Sequence, residues 1–178
     1  MNWRKLILSA FIIINTACYS STSYYNNVTA PAYHTISVGN SLTVNQELVI
    51  TPNLARIYFQ NGEIQTEQQI DKYYPNCSLE IKTLSNSSQS ILPDQFTIYR
   101  ITLDEEYSGL GMQFASLYLK GNGAPSPENW ITHFYLKSTK QPDVYRLSCQ
   151  HWEDPADARH VTYDEIKKTL GKYISFNF

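Results

Sequence analysis

The chain has 178 residues, of which 42% are hydrophobic, and 14 Lys and Arg against 16 Asp and Glu give a net charge of −2. That balance carries no basic footprint for nucleic acid, and the length suits one domain with a true core. Three cysteines, an odd number, call for an explanation if the protein is exported.

The N-terminus opens with a short basic segment, Met1 to Lys5, followed by the apolar run Leu6 to Ile14 and by Asn15-Thr16-Ala17-Cys18. A charged start, a short apolar stretch and a small-residue exit are the parts of a secretory signal, so residues 1–17 are expected to be a signal peptide. The apolar run is far shorter than the ~20 residues a spanning helix needs. Thr16-Ala17-Cys18 resembles the lipobox of a bacterial lipoprotein signal, with Asn15 where that pattern usually carries Leu. The resemblance implies acylation of Cys18, palmitate included, and a membrane anchor through that lipid. Because Tyr19 rather than Asp follows, it also implies the outer membrane, with the protein facing the periplasm.

Acylation at Cys18 would leave Cys77 and Cys149 as one pair for an oxidising compartment. Cys77, Leu79 and Ile81 alternate on one face of a strand pattern, and Tyr145, Leu147 and Cys149 on another. Each thiol therefore points to an apolar side, where a bridge between two packed elements would lie. Two buried free thiols are the alternative. Removing residues 1–17 takes away Arg4 and Lys5 and no acids, so 12 basic and 16 acidic residues remain and the net charge becomes −4.

Residues 18–34 are rich in Ser, Thr, Asn and Tyr, without an apolar period, and read as a lipidated flexible stalk. From residue 35 to 178 the pattern is that of one β-rich domain. Leu42, Val44, Leu48 and Ile50 suggest a strand pair or one broken strand, and Ala55 to Gln60 a strand closed by the turn dipeptide Asn61-Gly62. A short helical turn fits 65–71, a strand 78–83 and a polar loop 84–90. Phe96 to Leu103 alternates, placing Phe96, Ile98, Arg100 and Thr102 opposite Thr97, Tyr99, Ile101 and Leu103. Further strands are expected at 113–120, 130–136 and 143–149, and a loop at 121–127.

Thr162-Tyr163-Asp164-Glu165 is a capping box. Val161 and Ile166 stand at staple spacing, and Gly171 closes the helix. Tyr173 to Phe178 reads as a last strand. Ile174, Phe176 and Phe178 also have the spacing of an outer-membrane barrel terminus, a reading opposed by the helix just before them. The expected class is mainly β: a single antiparallel sandwich or partly open barrel of seven to nine strands with one short C-terminal helix.

Several residue groups suit chemistry. His151, Glu153, Asp154 and His160 are metal-binding types, and an envelope metal-dependent hydrolase would use His151 and His160. No paired His or Cys spacing accompanies them, so no metal site is assigned, and a solvated loop after the second cysteine strand is the competing reading. Cys149 near His151 has the makings of a thiol nucleophile, but a cysteine on an apolar strand face better suits a bridge. Asp104-Glu105-Glu106 offers carboxylates, read as a solvated turn rather than a glycosidase pair. The 14 Tyr and three Trp could stack on a glycan, or simply pack. No phosphate loop, nucleophile elbow or zincin motif occurs. No cofactor and no catalytic residue is assigned.

The segments Ala55 to Gly62 and Tyr74-Pro75-Asn76-Cys77 are similar to uncharacterised gammaproteobacterial lipoproteins, a resemblance that implies no activity. The leading reading is a cell-envelope lipoprotein, more a binding or assembly module than an enzyme. Its partners would be the membrane through the lipid and an envelope protein or glycan. A ligand- or glycan-binding β-barrel is the alternative.

Overall fold

The structure is a computed structural model that describes residues 31–107 and 126–178. The expected signal segment, Cys18, most of the expected stalk and the strand expected at 113–120 lie outside the described residues. Of the described residues 49% are strand and 11% helical, so the fold is mainly β, built on an eight-stranded antiparallel half-barrel with, among those residues, a single C-terminal α-helix.

Ten strands occur among the described residues: β1 (Ser41–Val44), β2 (Leu48–Ile50), β3 (Arg56–Gln60), β4 (Glu63–Gln65), β5 (Asn76–Ile81), β6 (Gln89–Ile91), β7 (Asp94–Tyr107), β8 (Glu128–Lys137), β9 (Val144–Glu153) and β10 (Ile174–Asn177). The large sheet runs β10-β1-β7-β8-β9-β5-β3-β4, and β2 pairs with β6 in a separate ribbon. Asn61 and Gly62, at φ +54° and +80°, make the two-residue turn between β3 and β4. Both positive φ values match the right-handed twist of the flanking strands.

One sheet face carries Leu42, Phe59, Leu79, Phe96, Ile98, Phe134 and Leu147, all fully buried. Over it lie Leu48, Ile50 and Ile91 of the ribbon and Ile166 and Leu170 of the helix α1 (Tyr163–Leu170). Removing one such phenylalanine side chain would cost about 3–5 kcal/mol. The packed chain begins upstream of Thr35: Ala32 is fully buried, and its N–H donates to the Val161 carbonyl at 2.8 Å.

Helix α1 follows its sequence signals closely. Thr162 accepts from the Glu165 N–H while Glu165 accepts from the Thr162 N–H, and Gly171 ends the helix. The turn expected at 65–71 is a 3₁₀ helix, Glu67–Gln69, with its own Thr66–Gln69 capping box.

Three expectations change. The polar loop at 84–90 gives way to β6 at Gln89, where Gln89 pairs with Ile50. Strict alternation along β7 breaks at a bulge between Ile98 and Arg100, so Phe96 and Ile98 share the core side with Ile101 rather than with Arg100. One extra residue resets the period. Strand β9 continues past Cys149 to Glu153, which puts Gln150 to Glu153 in the sheet and not in a loop.

Candidate functional site

The second face of the sheet is polar at its centre. Residues two apart on each strand share that face, and the pairing aligns them in rows. One row joins Arg100, Tyr135, Arg146, Glu80 and Arg56; the next joins Thr102, His133, Ser148, Ser78 and Tyr58. A third runs through Asp104, Ile131, Gln150, Asn76 and Gln60. Glu80, Ser78, His133 and Ser148 are all buried, although the β5 sequence Asn76-Cys77-Ser78-Leu79-Glu80 alternates like a half-solvated strand.

A continuous polar chain crosses four strands. His133 Nε2 lies 3.0 Å from Asp104 Oδ2, and His133 Nδ1 lies 2.8 Å from Ser148 Oγ. Ser148 Oγ is 3.2 Å from Glu80 Oε1. Glu80 Oε2 sits 3.2 Å from Arg146 Nε and 3.9 Å from Arg56 Nη2. The Arg146 Nε–H is close enough for an ion pair but is not aimed for a hydrogen bond. Arg100 stacks its guanidinium 3.7 Å from the centre of the Tyr135 ring, on the flank of this row. Apart from Arg100 and Tyr135, these groups border a cleft of about 330 Å³ together with Glu67 and Glu106.

The chain of contacts restricts which atoms carry protons. A carboxylate at Asp104 only accepts, so His133 Nε2 carries a hydrogen. In the neutral ring, Nδ1 then accepts the single Ser148 proton, which leaves none for the Glu80 contact. In the imidazolium, Nδ1 donates to Ser148, whose own proton turns toward Glu80. Burial pushes the His133 pKa below its ordinary value and Arg146 pushes the same way, while Asp104 and Glu80 oppose. The neutral ring is therefore the resting form near neutrality. Burial alone would raise the Tyr135 pKa, but hydrogen bonds from Thr102 and Arg146 and the charges of Arg146 and Arg100 bring it down.

Serine, histidine and aspartate in one hydrogen-bonded chain is also the arrangement of nucleophilic hydrolases. Here the Glu80 carboxylate lies against the same serine oxygen. Negative charge developing on a bound carbonyl would meet another anion there rather than a donor. The arrangement is suited to holding charged and polar groups, not to building an oxyanion.

The residues singled out from the sequence fall in three places. Cys77 and Cys149 are directly opposite on β5 and β9, with Cα atoms 4.1 Å apart, and form a disulfide. It links hydrogen-bonded neighbours within one sheet rather than two packed layers, and it leaves no Cys149 thiol for nucleophilic attack. His151 and His160 lie on the core side of the sheet, away from the polar chain. His151 Nε2 is 3.4 Å from Glu153 Oε2, His160 Nδ1 is 3.2 Å from Thr132 Oγ1, and the Trp130 ring meets His160 edge-on. Burial lowers the pKa of both. Among the described residues no three His, Cys, Asp or Glu side chains are grouped to hold a metal. Asp104, Glu105 and Glu106 belong to β7 rather than to a turn, so Asp104 and Glu106 share the polar face and Glu105 points to the other.

Glu80, His133, Arg146 and Ser148 were not singled out from the sequence. Each is the polar partner of an apolar neighbour in a strand, a pattern that ordinarily marks a solvated face. Comparison with family models, curated proteins and solved structures gives no match for this chain.

Proposed function

We propose that this protein is a cell-envelope lipoprotein, tethered by acylated Cys18 to the outer membrane, whose half-barrel is a binding module facing the periplasm. The polar sheet face is its binding surface. The address is supported by the lipobox-like Thr16-Ala17-Cys18 and by the disulfide, since such bridges persist in oxidising compartments. Two signals are needed for stable lipid anchoring, and a multiply acylated cysteine supplies them.

The observation that carries the binding role is the chain Asp104–His133–Ser148–Glu80, buried except at Asp104, with its two arginines beside the cleft. Replacing such a buried ionic network by apolar side chains is often neutral or stabilising. A sheet that keeps charges in its middle, next to a cleft, is arranged for recognition more than for stability.

Mass spectrometry of the mature protein from its native host tests the address; an unmodified Cys18 still joined to residues 1–17 would overturn it. The binding face is tested by NMR of the full chain in detergent micelles, with the Ile131 methyl groups labelled in the floor of the cleft. Addition of a low-molecular-weight envelope extract should shift those signals, and unchanged signals would refute the binding role.

A further inference from the structure

The cleft is electrically two-ended. At one end Arg146 and Arg56 flank the Glu80 carboxylate, and Arg100, over Tyr135 in the same row but outside the cleft lining, adds a third guanidinium. Positive charge is in excess there. At the other end Asp104 and Glu106 project from the same face of β7, and the Asp104 side chain is 62% exposed. Asp104 has only the His133 ring as a partner in this network, and that ring rests neutral. Negative charge is in excess at this end. Glu67 stands beside Arg56 and Tyr58 and offsets part of the positive end.

From this layout we infer that the cleft binds a short peptide end to end, with its C-terminal carboxylate on Arg56 and Arg146 and its N-terminal ammonium on Asp104 and Glu106. The inference rests on the binding role proposed above and names the ligand class for that same site. The Arg146 and Gln150 rows are four residues apart on β9, roughly 13 Å at the rise of a strand, and Asp104 lies two strands over on β7, so Arg146 and Asp104 stand roughly 16 Å apart between Cα atoms. The two charges of a single amino acid cannot span that distance. An extended peptide advances about 3.4 Å per residue, so about three residues bridge the two ends once the long arginine side chains lean inward. A cleft of about 330 Å³ lies at the small end of the range for ligand sites and suits such a peptide. Ser78, Tyr58 and Gln150 along its length offer hydroxyl and amide groups to the peptide backbone.

The test uses trialanine, its N-acetyl and C-amide forms, and alanine itself, titrated into the full chain in detergent micelles with the Ile131 methyl signals as the readout. Trialanine should shift them saturably. Blocking either terminus should weaken binding roughly tenfold, the weight of one charge-assisted hydrogen bond. Alanine should bind more weakly than trialanine. Arg56 and Glu106 are accessible side chains, so Arg56→Gln and Glu106→Gln should stay folded. Arg56→Gln should reduce the penalty for the C-amide alone, and Glu106→Gln the penalty for the N-acetyl group alone. Equal binding of all three tripeptides would overturn the inference. So would shifts from the envelope extract with none from trialanine, an outcome that leaves the binding role standing. Silence toward both would remove the binding role as well.

Discussion

Gly171 and Gly62 meet backbone to backbone: a Cβ on Gly171 would lie 2.7 Å from both the Cα and the carbonyl oxygen of Gly62. The Gly62 N–H donates to the Thr169 carbonyl at 3.0 Å, so the β3–β4 turn is pinned onto the last turn of α1. Gly171 also holds φ +53° and ψ −128°, a conformation open to glycine and strained for any other residue. Gly171→Ala should therefore destabilise the protein by about 3 kcal/mol, read as a fall in the urea midpoint at unchanged slope. A stability within error of wild type would show that the turn can move away at no cost.

The Glu165 carboxyl is held down at about 2 from an ordinary 4.5. Burial works against this, and two hydrogen bonds from Arg159, at 2.7 and 2.9 Å, together with the Thr162 N–H outweigh it. A depressed carboxyl stabilises the fold above its unfolded pKa, and that stability is lost as the pH falls from about 4.5 toward 2. The site is partly exposed, so screening reduces its worth to about 1–2 kcal/mol. Glu165→Gln should lose about this much at neutral pH and show a flatter stability profile between pH 5 and 2, measured by urea unfolding across that range.

His133, His151 and His160 all have pKa values lowered mainly by burial. The unfolded chain, with ordinary values near 6.5, binds these protons first. Stability should therefore be highest above that pH and decline below it as the unfolded state gains protons. Histidine C2–H titrations by NMR should place three midpoints below 6.5. Asp104→Asn removes a charge that favours the His133 imidazolium, so it should move that midpoint still lower and leave His151 in place. An upward move would contradict the Asp104–His133 pairing.

Breaking the Cys77–Cys149 bridge opens a loop between residues 72 apart in sequence. The chain-entropy model assigns such a bridge about 4 kcal/mol. Reduction, or replacement of both cysteines by serine, should lower stability by up to about this amount, as measured by urea unfolding with and without reductant. Because β5 and β9 remain paired by their hydrogen bonds, the far-ultraviolet circular dichroism of the folded reduced protein should be unchanged.

Residues close in sequence made several elements legible. Helix α1 needs only Thr162, Glu165 and Gly171 to announce its ends, because caps act within one turn. The Asn61-Gly62 turn is likewise a local matter of positive φ. Alternation also marked the apolar sides of Cys77 and Cys149, since a strand's period of two sorts its side chains with no help from neighbours. The bulge after Ile98 escaped that reading because it depends on how β8 pairs, not on β7 alone. For the same reason β9 ran past its expected end: β8 supplies partners for Gln150, His151, Trp152 and Glu153.

The mainly β class, the capped helix and the apolar strand faces were thus open to local chemistry. The polar site was not. Asp104, His133, Ser148 and Glu80 sit on four different strands, and Glu80 and Ser148 are 68 residues apart. Strand order and register alone bring them together, by hydrogen bonds between backbones that carry no mark of which strand will lie alongside. Taken singly, each is an ordinary polar residue on the outward beat of a strand. Their meeting in one network beside a cleft is a property of the folded sheet.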